Sequence, residues 1–306
     1  MLFIKPATIY QLTEQPPAIV SQAADDYHGD TSRLSRSQLT TFIESRKTFY
    51  RRYVCNDPAW QQATTEAMRL GSLFHELVLE HSQFEDMVAI VPRSALNADG
   101  HKMGNAYKRW KEQPENACRL IMKADEAFSL QQMFQAIIEN DTARTLLYDG
   151  DAQNEMTVHW HYFNTVIPAR ARLDRVREDY IVDLKTIDSV SMQSIERAIE
   201  SRLYYMQAAI YQDAIAQLTA SHGERKLLPF VLVFVEKQMP FEVISVELSQ
   251  EYIDEGRQLA IRALHELQHC LETNDWTPPT GKGLITVDRP SRNRKWSPLP
   301  WQPTTL

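Results

Sequence analysis

The sequence has no apolar run long enough to cross a membrane. Its longest charge-free, strongly apolar stretch, residues 227–235, has nine residues, against about 20 for a spanning helix. At the N-terminus, Leu2, Phe3 and Ile4 give way at once to Lys5 and Pro6, too short a core for a secretory signal. Cysteine is scarce: Cys55, Cys118 and Cys270 lie far apart, form no CxxC pair and leave one odd thiol. That excludes a disulfide framework and leads us to expect a reducing, cytoplasmic location. There is no internal repeat and no low-complexity tract. There is also no excess of positive charge. With 33 basic and 40 acidic residues the net charge is −7, which argues against a general nucleic-acid coat protein. What remains is ordinary globular composition, 43% hydrophobic and 24% charged. Its 306 residues make one large domain or two small ones.

The charge is unevenly spread. Residues 32–53 hold Arg33, Arg36, Arg46, Lys47, Arg51 and Arg52 against Glu44 alone. Residues 276–306 hold Lys282, Arg289, Arg292, Arg294 and Lys295 against Asp288. Basic segments on an acidic body can still hold phosphates, because the field in a groove depends on nearby charges; solvated surface is the commoner explanation of such a run.

Residues 1–31, with Pro6, Pro16 and Pro17, read as an arm of little regular structure. A helix is expected over 37–53 and another over 65–80, where Leu70, Phe74, Leu77 and Val78 form one apolar stripe. Residues 92–110 read as a loop and a short helix, and 115–148 as helical. The texture changes at Glu155. Strands are expected over 155–162, 166–177 and 180–186, the last two joined by a hairpin at Glu178-Asp179. A long helix over 192–218, strands over 228–235 and 241–247, and a helix over 249–272 capped by Ser249 follow. Six prolines between Pro278 and Pro303 make 276–306 a non-helical, basic tail. The predicted class is α/β, a central mixed β-sheet flanked by helices, in one domain over 32–275.

The informative stretch is residues 170–186. On a strand, Asp183 and Lys185 project to one face and Leu184 to the other. The hairpin brings Asp174 close to Asp183, which gathers two carboxylates and an ammonium group at the edge of a sheet. Two carboxylates and a backbone carbonyl, that of Leu184, suit Mg²⁺. A lone DxK is usually a surface salt bridge. On the 65–80 helix, Gly71 and His75 share one face at i and i+4, and a neutral imidazole there can ligate a metal. Gln207 and Tyr211 repeat that spacing on the long helix, where they can hold a phosphate or the Lys185 ammonium. Taken singly, each of these is most simply a packed or border residue.

Taken together, Gly71-xxx-His75, Glu155, Arg172-x-Asp174, Asp183-x-Lys185 and Gln207-xxx-Tyr211, in this order on helix, strand, strand, strand and helix, resemble the PD-(D/E)XK nuclease superfamily. Within it they resemble the RecB/RecE-type branch, above all the RecE-type exonuclease domain (exodeoxyribonuclease VIII) of phage and prophage proteins, over residues 34–272. The resemblance implies a restriction-endonuclease-like fold and a Mg²⁺-dependent exonuclease (Mn²⁺ substituting) acting on ends of linear double-stranded DNA, 5′ to 3′. It implies a homotetramer and a single-strand annealing protein as partner in DNA recombination. It assigns Asp174 and Asp183 as metal-binding carboxylates, Lys185 as the catalytic lysine and His75 as a metal-associated histidine. Glu155, Gln207 and Tyr211 complete the site, with the Leu184 carbonyl as a further ligand. Ala171 stands where the superfamily usually has glycine. Two other readings are an AddB-like or Cas4-like nuclease, whose iron–sulfur cluster needs four cysteines, and a non-catalytic DNA-binding protein on the same fold.

Overall fold

The computed structural model describes residues 16–22, 27, 30, 32–80, 84–116, 119–280 and 284. Most of the expected arm and tail, and Cys118, lie outside the described residues. In chain order, the first half contributes β1 (Ala18–Val20), β2 (Leu34–Ser35), α1 (Arg36–Glu44), α2 (Arg46–Phe49), α3 (Glu66–Leu79), β3 (Val88–Ile90), α4 (Asn105–Lys111), β4 (Leu120–Met122), α5 (Ala124–Glu139) and α6 (Asp141–Tyr148). The second half contributes β5 (Ala152–His161), β6 (Pro168–Arg177), β7 (Ile181–Ile187), α7 (Met192–Ser201), α8 (Tyr204–Ala220), β8 (Phe230–Glu236), β9 (Val243–Glu247) and α9 (Gln250–Thr273).

The main sheet runs β1-β5-β6-β7-β8-β9, with β2 added parallel to β6. β7 and β8 are parallel and the other pairs along the path antiparallel, so the sheet is mixed, as expected. β3 and β4 form a separate parallel pair. Side-chain alternation sorts the apolar residues to two faces. On one, Leu173, Ile181, Phe230, Leu232 and Phe234 pack with α1, α2, α8 and α9. On the other, Val182, Leu184, Val233 and Val235 pack with α3, α5 and α6. Among the described residues no helix is long and apolar enough to cross a membrane.

β6 and β7 pair only at Arg175↔Val182 and Val176↔Ile181 and then part. Further along, β2 takes up the vacated edge of β6, with Leu34 opposite Ala169 and Ser35 opposite Arg170. A gap between β6 and β7 results. The expectation that Asp183 and Lys185 sit at a sheet edge is thus corrected. β7 is an interior strand, paired with β8 over Ile181–Ile187. The cause is β8, buried at every position, which as a fully apolar strand needs neighbours on both sides.

Several element boundaries also differ from expectation. The 37–53 helix is broken at Ser45, whose extended backbone closes α1 and whose hydroxyl accepts from Thr48 N to open α2. The 192–218 helix is broken before α8 at Leu203, at φ 53°. Within 115–148, residues 120–122 are the strand β4. Ala18–Val20, inside the expected arm, adds an edge strand to β5. Leu34-Ser35 is β2, and Ser35 also caps α1 through a capping box with Gln38. Ser249 caps α9, as expected. α8 is buried nearly all round. α9 crosses it so closely that a Cβ on Gly256 would lie 2.2 Å from the Tyr205 carbonyl oxygen, so only glycine fits there.

Candidate active site

The gap between β6 and β7 collects the polar residues. Asp174 Oδ2 accepts a hydrogen bond from Leu184 N at 2.8 Å. Its carboxylate takes the place that the next β6 ladder partner would have filled. N–H and C=O of one strand residue point to the same side, so the Leu184 carbonyl also faces the gap. From α3, His75 Nδ1 lies 3.4 Å from Asp174 Oδ2. Glu155 sits in the middle of β5, not at its start. Its backbone is left-handed, with φ 50°, and the β5–β6 ladder is interrupted there, resuming at Met156↔Leu173. That kink turns the Glu155 carboxylate toward Asp174. Ligand atoms of His75, Glu155 and Asp174 all lie within 4.8 Å of one another.

Asp183 is only 1% exposed and belongs to the α8 side. Gln207 Nε2 donates to its Oδ1 at 2.6 Å, and Lys185 Nζ lies 2.5 Å from its Oδ2. The shared face of Asp183 and Lys185 is as read from the sequence, and Gln207 reaches the pair from one turn into α8. Tyr211, one turn further, donates to the Arg172 carbonyl at 3.1 Å and so braces β6. The structure therefore brings together His75, Asp174 and the Leu184 backbone from the expected ligand set. It adds Glu155 and turns the Asp183 carboxylate toward Gln207 and Lys185.

The structure adds two contacts that the sequence reading did not name. Arg172 forms a close ion pair with Glu155 and lies 3.5 Å from Glu80. The Lys185 ammonium sits 5.1 Å from the centre of the Tyr204 ring. The signal for Arg172 was its place two residues before Asp174, on the same strand face. Tyr204, three residues before Gln207, had the matching helical spacing. Arg170 is 3% exposed. Its Nε donates to the Arg33 carbonyl and its guanidinium stacks over Tyr27. It is part of the scaffold because β2 and residue 27 cover β6.

Burial and the negative charge of Asp183 push the Asp174 carboxyl up to about 8. Burial and the charge of Asp174 raise Glu155, despite Arg172 beside it. Burial, helped by Lys185, lowers His75, so its imidazole is neutral and ligand-ready at neutral pH. Burial works against the Lys185 ammonium, but the charges around it, Asp183 foremost, outweigh that and raise its pKa. Burial, then Asp183, holds the Tyr211 phenol well above its ordinary range. Two crowded carboxyls that both resist ionisation, beside a neutral imidazole, mark a position a cation would relieve. Two carboxylates, an imidazole and a facing carbonyl are donors that suit Mg²⁺ or Mn²⁺, so the residues present fit a divalent ion.

A mixed sheet opened between two strands, with an acidic cluster on one side of the opening and an Asp–Lys pair on the other, defines a PD-(D/E)XK-type fold. Residues 35–284 match the family described as PDDEXK-like domain of unknown function (DUF3799), and the chain belongs to that family. In three dimensions the chain is similar to a crystal structure of a presumed exonuclease from Eubacterium rectale. The TM-score is 0.58 and the identity 15%, covering 84% of this chain and 88% of the other. At that identity the likeness speaks for the fold. The solved structure of SSO0001 is 15% identical over 69% of this chain and 95% of its own, with a TM-score of 0.25, too low to bear on the argument. None of the curated proteins matches the sequence.

Proposed function

We propose that the protein is a divalent-metal-dependent deoxyribonuclease that hydrolyses phosphodiester bonds from the ends of linear double-stranded DNA. The fold and family support a nuclease. The observation that carries the finer reading is the meeting of His75, Glu155 and Asp174 with the Asp183–Lys185 pair at one gap in the sheet. His75, Glu155, Asp174 and the Leu184 carbonyl would hold Mg²⁺ or Mn²⁺, which supplies positive charge for the scissile phosphate and acidifies bound water. Asp183, fixed by Gln207, aims Lys185 and keeps it cationic, so its ammonium orients the attacking water and meets charge developing on the phosphate. Arg172 holds the Glu155 carboxylate in place, and Tyr211 fixes the β6 backbone between Arg172 and Asp174.

The motif order of RecE-type exonucleases supports the end-dependent reading. With it go 5′-to-3′ polarity, a homotetramer and a role beside an annealing protein in recombination. The test is a time course on linear and covalently closed circular duplexes of equal length, with Mg²⁺, with Mn²⁺ and in excess chelator. Loss of the linear substrate alone, only with metal, is expected. Equal loss of both substrates would make the enzyme an endonuclease, and undiminished cleavage in chelator would remove the metal mechanism. Light scattering checks the assembly, a tetramer mass being expected and a monomer refuting it.

A further inference from the structure

The basic run at residues 32–53 was the sequence's candidate grip for DNA, but three of its arginines are spent on the protein itself. Arg46 pairs with Glu266 and donates to the Thr277 carbonyl. Arg52 donates to the Trp60 carbonyl, and Arg36 to that of Arg202. Another group of cations gathers elsewhere. A cavity of about 290 Å³ lies between α3, α4 and β4, lined by Arg69, Lys102, Lys111, Arg119, Tyr107 and Glu126 among others. Lys102 faces Glu126 at 3.4 Å. The side chains of Arg69, Lys111 and Arg119 make no hydrogen bond or ion pair among the described residues. On a chain of net charge −7, four cations against one carboxylate at one cavity form a local positive field.

The cavity lies beside elements that carry the candidate active site. It shares Leu70 and Glu126 with a neighbouring cavity of about 570 Å³, which reaches Gly71 and Thr186. Thr186 follows Lys185 in β7, and Gly71 lies one helical turn before His75. Arg69 and His75 are six residues apart on α3, about 9 Å along the helix axis, roughly two to three nucleotide rises of one strand. Tyr107 adds an aromatic ring at the cavity wall, paired with Trp110 at 6.4 Å. Cations along a groove with an aromatic face for a base are how single strands are held without sequence preference.

We infer that this cavity binds the phosphodiester backbone of single-stranded DNA, the strand that continues from the nuclease centre. The inference rests on the nuclease reading for the strand's origin and stands apart from it in its test. The measurement is fluorescence anisotropy of a labelled single strand of about 15 nucleotides in chelator, over a salt series. Wild type is compared with the triple variant Arg69→Ala, Lys111→Ala, Arg119→Ala, its folding checked by circular dichroism. The triple variant is expected to bind at least about 10-fold more weakly. Its slope of log affinity against log salt should be shallower by about 2, from roughly 0.7 per lost contact. A separate variant, Tyr107→Ala, should weaken binding at unchanged slope. Unaltered affinity and slope in a folded triple variant would overturn the assignment. So would a deoxynucleoside monophosphate that competes as tightly as the oligonucleotide. Wild type that binds the strand but cuts no DNA would sink the nuclease reading and leave this site standing. Wild type that cuts, beside a triple variant that binds as well, would do the reverse.

Discussion

Replacing Asp174 by asparagine should make the metal-free protein more stable at alkaline pH, although it empties the candidate metal site. Asp174 is raised from 3.8 to about 8, so the folded protein holds that proton more tightly than the unfolded chain. The associated stability is complete below about pH 4 and is lost as pH rises toward 8. Over that window the full displacement corresponds to roughly 5–6 kcal/mol. Water entry and relaxation of Asp183, Lys185 and Glu155 around the charge should leave about half, or 2–3 kcal/mol. Asparagine has nearly the same shape and keeps the oxygen that accepts from Leu184 N, so the comparison isolates the charge. For a domain of this size the gain is roughly 5–10 °C in melting temperature. The assay is thermal unfolding followed by circular dichroism, in chelator, from pH 5 to 8.5. Asp174→Asn should melt higher than wild type at pH 8, with the advantage shrinking toward pH 5. Adding Mn²⁺ or Mg²⁺ should raise the wild type and leave the variant unmoved. A variant no more stable than wild type at pH 8, or one whose advantage ignores pH, would refute the reasoning.

Lys185→Ala and Asp183→Ala should each lower cleavage of linear DNA by about 10²–10⁴-fold with the fold intact by circular dichroism; near-normal rates in either would remove the pair from the mechanism. Gln207→Ala leaves the buried Asp183 short of a donor and should cost about 1–3 kcal/mol, read from the urea midpoint, together with a loss of activity. Gly256→Ala, which drives a methyl into the Tyr205 carbonyl, should cost about 1–3 kcal/mol without touching the site, and a neutral effect would mean that α8 and α9 do not meet so closely.

Local signals carried far in this sequence. The Arg172-x-Asp174 and Asp183-x-Lys185 strands were legible because alternation is a property of the strand alone and a short turn leaves only a hairpin. Gln207 and Tyr211 were legible as a face of a helix. What each residue touches was not, because distant elements decide it. Gln207 and Lys185 hold the Asp183 carboxylate. β8, some 50 residues downstream of β7, makes an apparent edge strand an interior one. Glu155 was misplaced to the strand's start because its left-handed backbone breaks the alternation that reading relies on. The Ser45 break was hidden because apolar spacing continues across it. β1 and β2, at three and two residues, are too short to carry any period.

The kink at Glu155 bears on how this protein trades durability for chemistry. A glutamate held at φ 50° stands where glycine or asparagine is at ease, at a disadvantage on the order of 1–2 kcal/mol. Its carboxyl is also forced to share space with Asp174. Nothing in the folding of β5 asks for either, and a chain selected only to survive heat would have abandoned both. Glu155→Asn is accordingly expected to melt no lower than wild type while cutting no DNA. A melting temperature several degrees lower would show instead that the carboxylate, through Arg172, is part of what holds the sheet together.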